Sequence, residues 1–204
     1  KGGRRLSDFV TLAALAPTFL EATGLPVPGE MPGHSLLPGL LAEEGTELPA
    51  DREHVLLGME QHVYPYPARA IRTKDHLYIR IFAPEAWPTG LTSEAPLEFD
   101  FIETPWPTVP GAFAHNSDPG PTKQWMRLNE SAINELSFGR RSAEELYDLK
   151  SDPDQLTNLL AGRTTPDVIA AIRDELSDRL TSELRAPGDP RFAAPDHATF
   201  QMHG

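Results

Sequence analysis

Not one of the 204 residues is a cysteine. Disulfide frameworks, zinc–thiolate centres and cysteine nucleophiles are thereby excluded from this chain, although the compartment stays open because proteins of every compartment can lack cysteine. Positive charge is also scarce: 18 Lys and Arg stand against 30 Asp and Glu, a net charge of −12. Clustered basic residues are what phosphate backbones and anionic bilayers attract, so the balance argues against nucleic acid and against such membrane surfaces. No apolar run reaches transmembrane length, and residues 1–10 lack the apolar stretch of a signal peptide. The chain has no initiator Met and opens on Lys1-Gly2-Gly3-Arg4-Arg5, which reads as the interior or a processed product of a longer polypeptide. No internal repeat is visible.

What is present is proline, 21 in all, about twice the usual share, with 39% apolar residues. The mixture predicts a modest core with stiff, irregular connections. Leu6 to Ala22 has helical spacing, with Phe9, Leu12, Ala13, Ala16, Phe19 and Leu20 on one face. Pro17 requires the helix to begin near Leu15 or to kink, and Gly24 stops it. Such a helix needs a sheet to lie on, and no parallel sheet precedes it.

His54 to Met59 reads as a strand, and Tyr64-Pro65-Tyr66-Pro67 as a turn or crossover that breaks the ladder. Arg69–Thr73 and His76–Phe82 read as strands of a hairpin around Lys74-Asp75, the second apolar on both faces. Residues 83–122 form a Pro- and Gly-rich excursion anchored by Trp87, Phe99, Phe101, Trp106 and Phe113. A helix is expected over Lys123–Ser137, and a strand over Glu145–Leu149 running into the turn Lys150–Pro153. The last helix is signalled by Thr165 as cap, Pro166 and Asp167 in the first turn, and an Ile169, Ile172, Leu176, Leu180, Leu184 stripe. Pro187 and Gly188 end it, and the tail to Gly204 is expected to be loose.

Four stretches then acquire a joint meaning. Val10-Thr11-Leu12-Ala13-Ala14-Leu15-Ala16-Pro17-Thr18-Phe19-Leu20, with Gly24, resembles the sulfatase segment V-S-L-x-D-L-x-P-T-x-L-x-x-x-G. Gly33-His34-Ser35-Leu36-Leu37-Pro38 is similar to the G-x-S-L-L-P element that follows it in that family. Tyr66-Pro67-Ala68-Arg69-Ala70-Ile71-Arg72-Thr73 resembles Y-P-x-R-x-x-R-T of the heparan N-sulfatase (sulfamidase) branch. Glu145-Leu146-Tyr147-Asp148-Leu149, with Asp152-Pro153 and Asn158-Leu159, resembles E-L-Y-D-L-x-x-D-P-x-E-x-x-N-L near the family's C-terminus. Each alone is a weak signal; together, in the family's order from Val10 to Asn158, they are strong. Ala14 and Gln155 depart from the pattern, where the family usually has Asp and Glu.

The resemblance implies an alkaline-phosphatase-like α/β fold. Residues 1–62 would be the last helix and strand of its α/β domain, residues 63–186 a small antiparallel sheet packed with a C-terminal helix, and residues 187–204 a tail. It implies hydrolysis of a sulfate ester or sulfamate by a formylglycine nucleophile, made from Cys or Ser in a C/S-x-P/A-x-R motif, with a calcium ion clamping the sulfate. No such motif and no paired aspartates or D-H-G-type metal segment occur here, so no catalytic or metal residue is assigned within the chain, and the chain alone is expected to be inactive. The partners implied are the N-terminal catalytic portion of the same protein and a sulfated small molecule or glycan, and the family's habit implies secretion or the periplasm.

The candidate substrate-binding residues are Glu60, His62, Arg69 and Arg72. His54, Glu60 and His62 share a face if the strand continues past Gly58, and in the sulfamidase branch the segment before Y-P helps hold the sugar. For Glu60 and His62 the competing reading is a carboxylate and imidazole satisfied at a domain boundary; a two-His, one-Glu metal site is a weaker one. Arg69 and Arg72 suit sulfate oxygens, but three apart on a strand they face opposite sides and cannot form one clamp; at least one is structural, with Asp75 or Glu53 as partner. Tyr64 and Tyr66 suit stacking on a sugar ring as well as packing a turn. The competing functions are a non-catalytic binding or scaffold module of the same fold, and a phosphodiesterase or phosphonate hydrolase of the superfamily. A chain folding alone is expected to self-associate through the face from Phe9 to Leu20.

Overall fold

The structure, a computed structural model, describes residues 8–42, 53–62, 64–89, 116–117, 120–129 and 131–193. The chain divides into two compact units, residues 1–55 with 72–74, and residues 56–71 with 75–204.

In the first unit a 3₁₀ turn, Leu12–Ala14, leads into α1, Leu15–Ala22. The helix starts where Pro17 can occupy its first turn. It ends in a Schellman arrangement in which the Leu25 N–H reaches Leu20 O and the Gly24 N–H reaches Glu21 O. The buried side is Ala14, Pro17 and Thr18, while Leu12 and Phe19 are 85% and 64% exposed. The apolar face read from the spacing is thus the exposed one within this chain, the face through which self-association is expected. The helix is apolar nearly all round, and periodicity cannot tell which flank finds a partner within the chain. The Thr18 hydroxyl donates to Ala14 O and accepts from the Leu36 N–H at 2.8 Å. A Cβ on Gly33 would lie 2.0 Å from Ala13 O, so only glycine permits that approach. These two contacts give the Pro-Thr and Gly-x-Ser-Leu-Leu-Pro segments a shared physical reason. A short helix, α2 (Leu37–Leu41), follows.

One sheet runs in the order β1 (His54–Gln61), β2 (Pro65–Thr73), β3 (His76–Ile81), β4 (Glu144–Asp148). Short links between β1 and β2 and between β2 and β3 permit only antiparallel pairing, and β3 and β4 are antiparallel with Leu77 opposite Tyr147. The strand β2 includes Pro65, Tyr66 and Pro67, contrary to the expected turn. Pro67 contributes only its carbonyl, which accepts the Phe82 N–H at 3.0 Å, so its missing donor is not called upon.

In the second unit, α5 (Asp167–Arg185) lies on one face of the sheet. Leu176 and Leu180 pack with Ile71, Tyr78, Leu146 and Phe192, and the stripe from Ile169 to Leu184 is as expected. The other face carries Ala70, Leu77 and Tyr147, so the sheet is apolar on both sides. Pro166 rather than Thr165 is the cap of α5, and no side chain caps it; Asp167 still places a negative charge in the first turn. The helix expected over Lys123–Ser137 is two, α3 (Pro121–Asn129) and α4 (Ser131–Phe138). Trp125, Ile133 and Leu136 are exposed on them, and Phe138 is buried. After α5 the chain turns through Gly188 into α6 (Pro190–Ala193), where Arg191 and Phe192 are buried. The tail is therefore fastened up to Ala193. Among the expected anchors of residues 83–122, Trp87 sits beneath the Arg140 guanidinium at 4.8 Å; Phe99, Phe101, Trp106 and Phe113 lie outside the described residues. No helix among the described residues is long and apolar enough to cross a membrane.

Candidate functional site

Period-two alternation decides which chemistry each face of the sheet carries. On the α5 face, Leu56, Gly58 and Glu60 of β1 alternate toward Arg69 and Ile71 of β2. A Cβ on Gly58 would stand 3.2 Å from Arg69 Cδ, so the glycine makes room for that side chain. All the donors of the Arg69 fork are engaged. Nε donates to Asp189 Oδ2 at 2.8 Å, Nη2 faces Glu60 Oε2 at 3.1 Å, and Nη1 donates to Met59 O and Ala68 O. Arg191 holds the other Glu60 oxygen through Nε at 2.9 Å and through Nη2. Asp189 also accepts the Arg191 N–H, which makes it the cap of α6.

Two guanidinium and two carboxylate groups thus neutralise one another beneath the surface. Desolvated charges persist when paired in this way, here with Glu60 Oε2 buried and facing Arg69 as an ion pair without a hydrogen bond. Glu60 and Arg69, two of the four candidates, are engaged inside the fold. The partners of Arg69 are Glu60 and Asp189, not Asp75 or Glu53; Asp75 pairs with Lys150. Arg72 and His62 are exposed. The strand does continue past Gly58, to Gln61, but no group of three or more His, Asp or Glu side chains placed to hold a metal occurs among the described residues.

The opposite face carries a second polar cluster. Arg141 Nε meets Glu145 Oε1 at 2.9 Å, and Nη2 donates to Glu145 Oε2 and to the Tyr147 hydroxyl. Tyr147 in turn donates to Glu145 at 3.1 Å. The Tyr66 hydroxyl is buried with no hydrogen-bond partner among the described residues. Burial raises the Tyr66 and Tyr147 phenols to about 12, and Glu145 adds to both effects. On the α5 face burial and the hydrogen bond to Glu144 do the same to Tyr78. Burial opposes the Arg141 charge, but the hydrogen bond and charge of Glu145 outweigh it, so its pKa is raised.

All three phenols hold their protons more tightly folded than unfolded, where the value is 10.0. Their contribution is complete below about pH 10 and is lost as pH rises from 10 toward 12. Denaturant midpoints measured through that window should fall steadily, and Tyr147→Phe should flatten the decline.

At the strand-to-turn junction, Asp148 accepts the Lys150 N–H and the Ser151 hydroxyl, and these hydrogen bonds lower its pKa. Asp152 accepts the Leu156 and Thr157 N–H groups. Asn158 joins this turn to the sheet, accepting the Leu146 N–H and donating to Glu144 O, and the Leu159 N–H adds a bond to Leu146 O. The E-L-Y-D-L…D-P…N-L pattern is therefore a structural device.

Beyond the β1–β2 connection, Asn116 pairs with both main-chain groups of Tyr64. A cavity of about 540 Å³ nearby in sequence is lined by Thr89, Ser117, Lys123, Met126, Ser137 and Phe138. Sequence reasoning missed Asn116, Asp189 and Arg191. The first gave no local signal. Asp189-Pro190 did offer one, a cap followed by proline in the first helical position.

No family model matches the chain. It is 28% identical over 193 residues to an ulvan-active sulfatase of Formosa agariphila, a match covering 93% of this chain and 31% of that protein. The chain thus spans about a third of the length of the curated relative it matches. A candidate sulfatase of Bacteroides thetaiotaomicron, of known structure, superimposes with a TM-score of 0.50 at 18% identity, covering 88% of this chain and 25% of its own. That likeness concerns the fold.

Proposed function

From a chain related to sulfatases over nearly its whole length, we propose that it is the C-terminal part of an enzyme that hydrolyses sulfate esters or sulfamates. The observation that supports this most is the 93% coverage matched to 31% of a sulfatase. Residues 1–62 are read as the end of the catalytic α/β domain, their strand β1 also edging the small sheet, and residues 63–186 as the sheet-and-helix subdomain. The exposed stripe Leu12, Leu15 and Phe19 suits a helix covered by a layer of the same polypeptide. Without that cover the same stripe favours self-association.

A formylglycine and a calcium ion would serve the reaction from other parts of the polypeptide. The residues of this chain do not fit either group: there is no cysteine or C/S-x-P/A-x-R motif, and no metal-binding cluster among the described residues. What the chain supplies is a wall of the cleft, with His62 and Arg72 as the exposed members of the candidate set and His62, at the strand end, the one read toward a sulfated glycan. The Glu60–Arg69–Asp189–Arg191 network holds the strand end that presents it. Secretion or periplasmic export accompanies this reading.

The test is release of inorganic sulfate by the full-length polypeptide from an aryl sulfate, an O-sulfated monosaccharide and an N-sulfated one, beside a phosphodiester. Sulfate from any of the first three supports the proposal. Phosphate release alone, or no release, overturns it.

A further inference from the structure

Arg80 on β3 and Glu144 on β4 stand directly opposite each other, a register that favours an ion pair. No such pair forms. Glu144 is taken by the Tyr78 hydroxyl and by Arg173 at 3.3 Å. The Arg80 guanidinium lies instead 5.4 Å from the centre of the Phe82 ring and 5.8 Å from that of Phe192. Those rings meet edge to face, 5.6 Å apart at 83°, and the guanidinium is held where they join. The rings attract its charge, but they offer its N–H donors no oxygen acceptor. Among the described residues no carboxylate or carbonyl takes those donors up.

The neighbours add positive charge. Arg191 lies 5.8 Å from the same Phe82 ring, and Arg185, exposed at the end of α5, donates through Nε to Phe192 O at 3.3 Å. Glu60 and Asp189 balance Arg69 and Arg191. Arg80 and Arg185 are left without a carboxylate among the described residues. In a chain of net charge −12 this corner is locally positive, which draws an anion to it. Arg80 is half-buried and already immobilised, so it loses little further freedom on binding, and its fork matches two oxygens of a sulfate or carboxylate. We propose that Arg80, steadied by Phe82 and Phe192 and aided by Arg185, is a subsite for an anionic group carried on a glycan chain, apart from the group that is hydrolysed. This rests on the sulfatase reading and deepens it: the substrate becomes a chain with more than one anionic group.

The experiment titrates the full-length polypeptide, by calorimetry, with a short dextran sulfate, with unsulfated dextran of the same length and with inorganic sulfate. Arg80→Gln and Arg185→Gln are compared with Arg163→Gln, the same change of charge at an exposed position on the loop before α5. Arg80→Gln should weaken dextran sulfate binding by about tenfold, the scale of one charge-assisted hydrogen bond, and Arg185→Gln by a smaller factor. Arg80→Lys, which keeps the charge and loses the fork, should restore only part of the affinity. Arg163→Gln should change nothing, unsulfated dextran should not bind, and kcat on a sulfated monosaccharide should stay the same in every variant. Arg185 is exposed, so its variant decides the matter if Arg80→Gln folds poorly. Dextran sulfate affinity that neither change lowers, or that Arg163→Gln lowers equally, overturns the inference alone. Inorganic sulfate bound as tightly and with the same dependence on Arg80 would make this a site for the free ion and overturn the glycan assignment. Binding that depends on Arg80 in a protein that releases sulfate from no substrate overturns the sulfatase reading instead.

Discussion

Replacing Arg69 with methionine is expected to lower the stability of the fold by about 3–5 kcal/mol. Methionine preserves much of the length of the side chain, so the loss comes from charge. Glu60 would keep only Arg191, Asp189 would lose its guanidinium partner, and Met59 O and Ala68 O would lose their donor. Asp189 is poorly placed to recover water at 15% exposed, and Glu60 recovers it only in part at 24%. A loss of this size is a large fraction of the roughly 5–15 kcal/mol that holds a domain. Urea denaturation followed by far-ultraviolet circular dichroism measures it. A double-mutant cycle with Glu60→Gln should show strong coupling, since each single change already breaks the shared network. A loss below about 1 kcal/mol, as for a surface pair, would mean that the network is solvated and that Glu60 is available for other work.

Leu180→Ala should cost about 2–5 kcal/mol. Leu180 is fully buried on α5 against the sheet, within the cluster of Ile71, Tyr78, Leu146 and Phe192. Removing it leaves a void between a helix and a sheet that cannot close without moving one of them. Val168, 65% exposed at the start of the same helix, is the internal control, and Val168→Ala should change stability by no more than about 0.5 kcal/mol. Equal effects at the two positions would show that α5 does not dock as described.

The stripe of α5, the hairpin around Lys74-Asp75 and the strand at Glu145 were legible because their signals are local. Spacing, a turn dipeptide and a charged first turn lie within a few residues of the element they define. The buried side of α1 was not legible, since Leu12, Ala14, Pro17 and Phe19 are apolar on all flanks and only the partner decides. Pro65 and Pro67 misled because a proline harms a ladder only where its N–H is required, and that depends on the neighbouring strand. The least legible feature was the ion network. Glu60 and Arg191 are 131 residues apart, and no pattern in sequence reports such a pairing. For that reason Glu60 and Arg69 could be singled out as functional although the fold engages them internally. His62 carried the same sequence signal and is exposed, so the strand-end segment placed the candidate without telling which member faces outward.

The most direct test of the sulfatase reading is the sequence of the whole encoded polypeptide on the N-terminal side of Lys1. The account predicts a further α/β segment there that carries a C/S-x-P/A-x-R motif and acidic metal ligands. A reading frame that begins close to Lys1, or a long upstream segment without that motif, would contradict it.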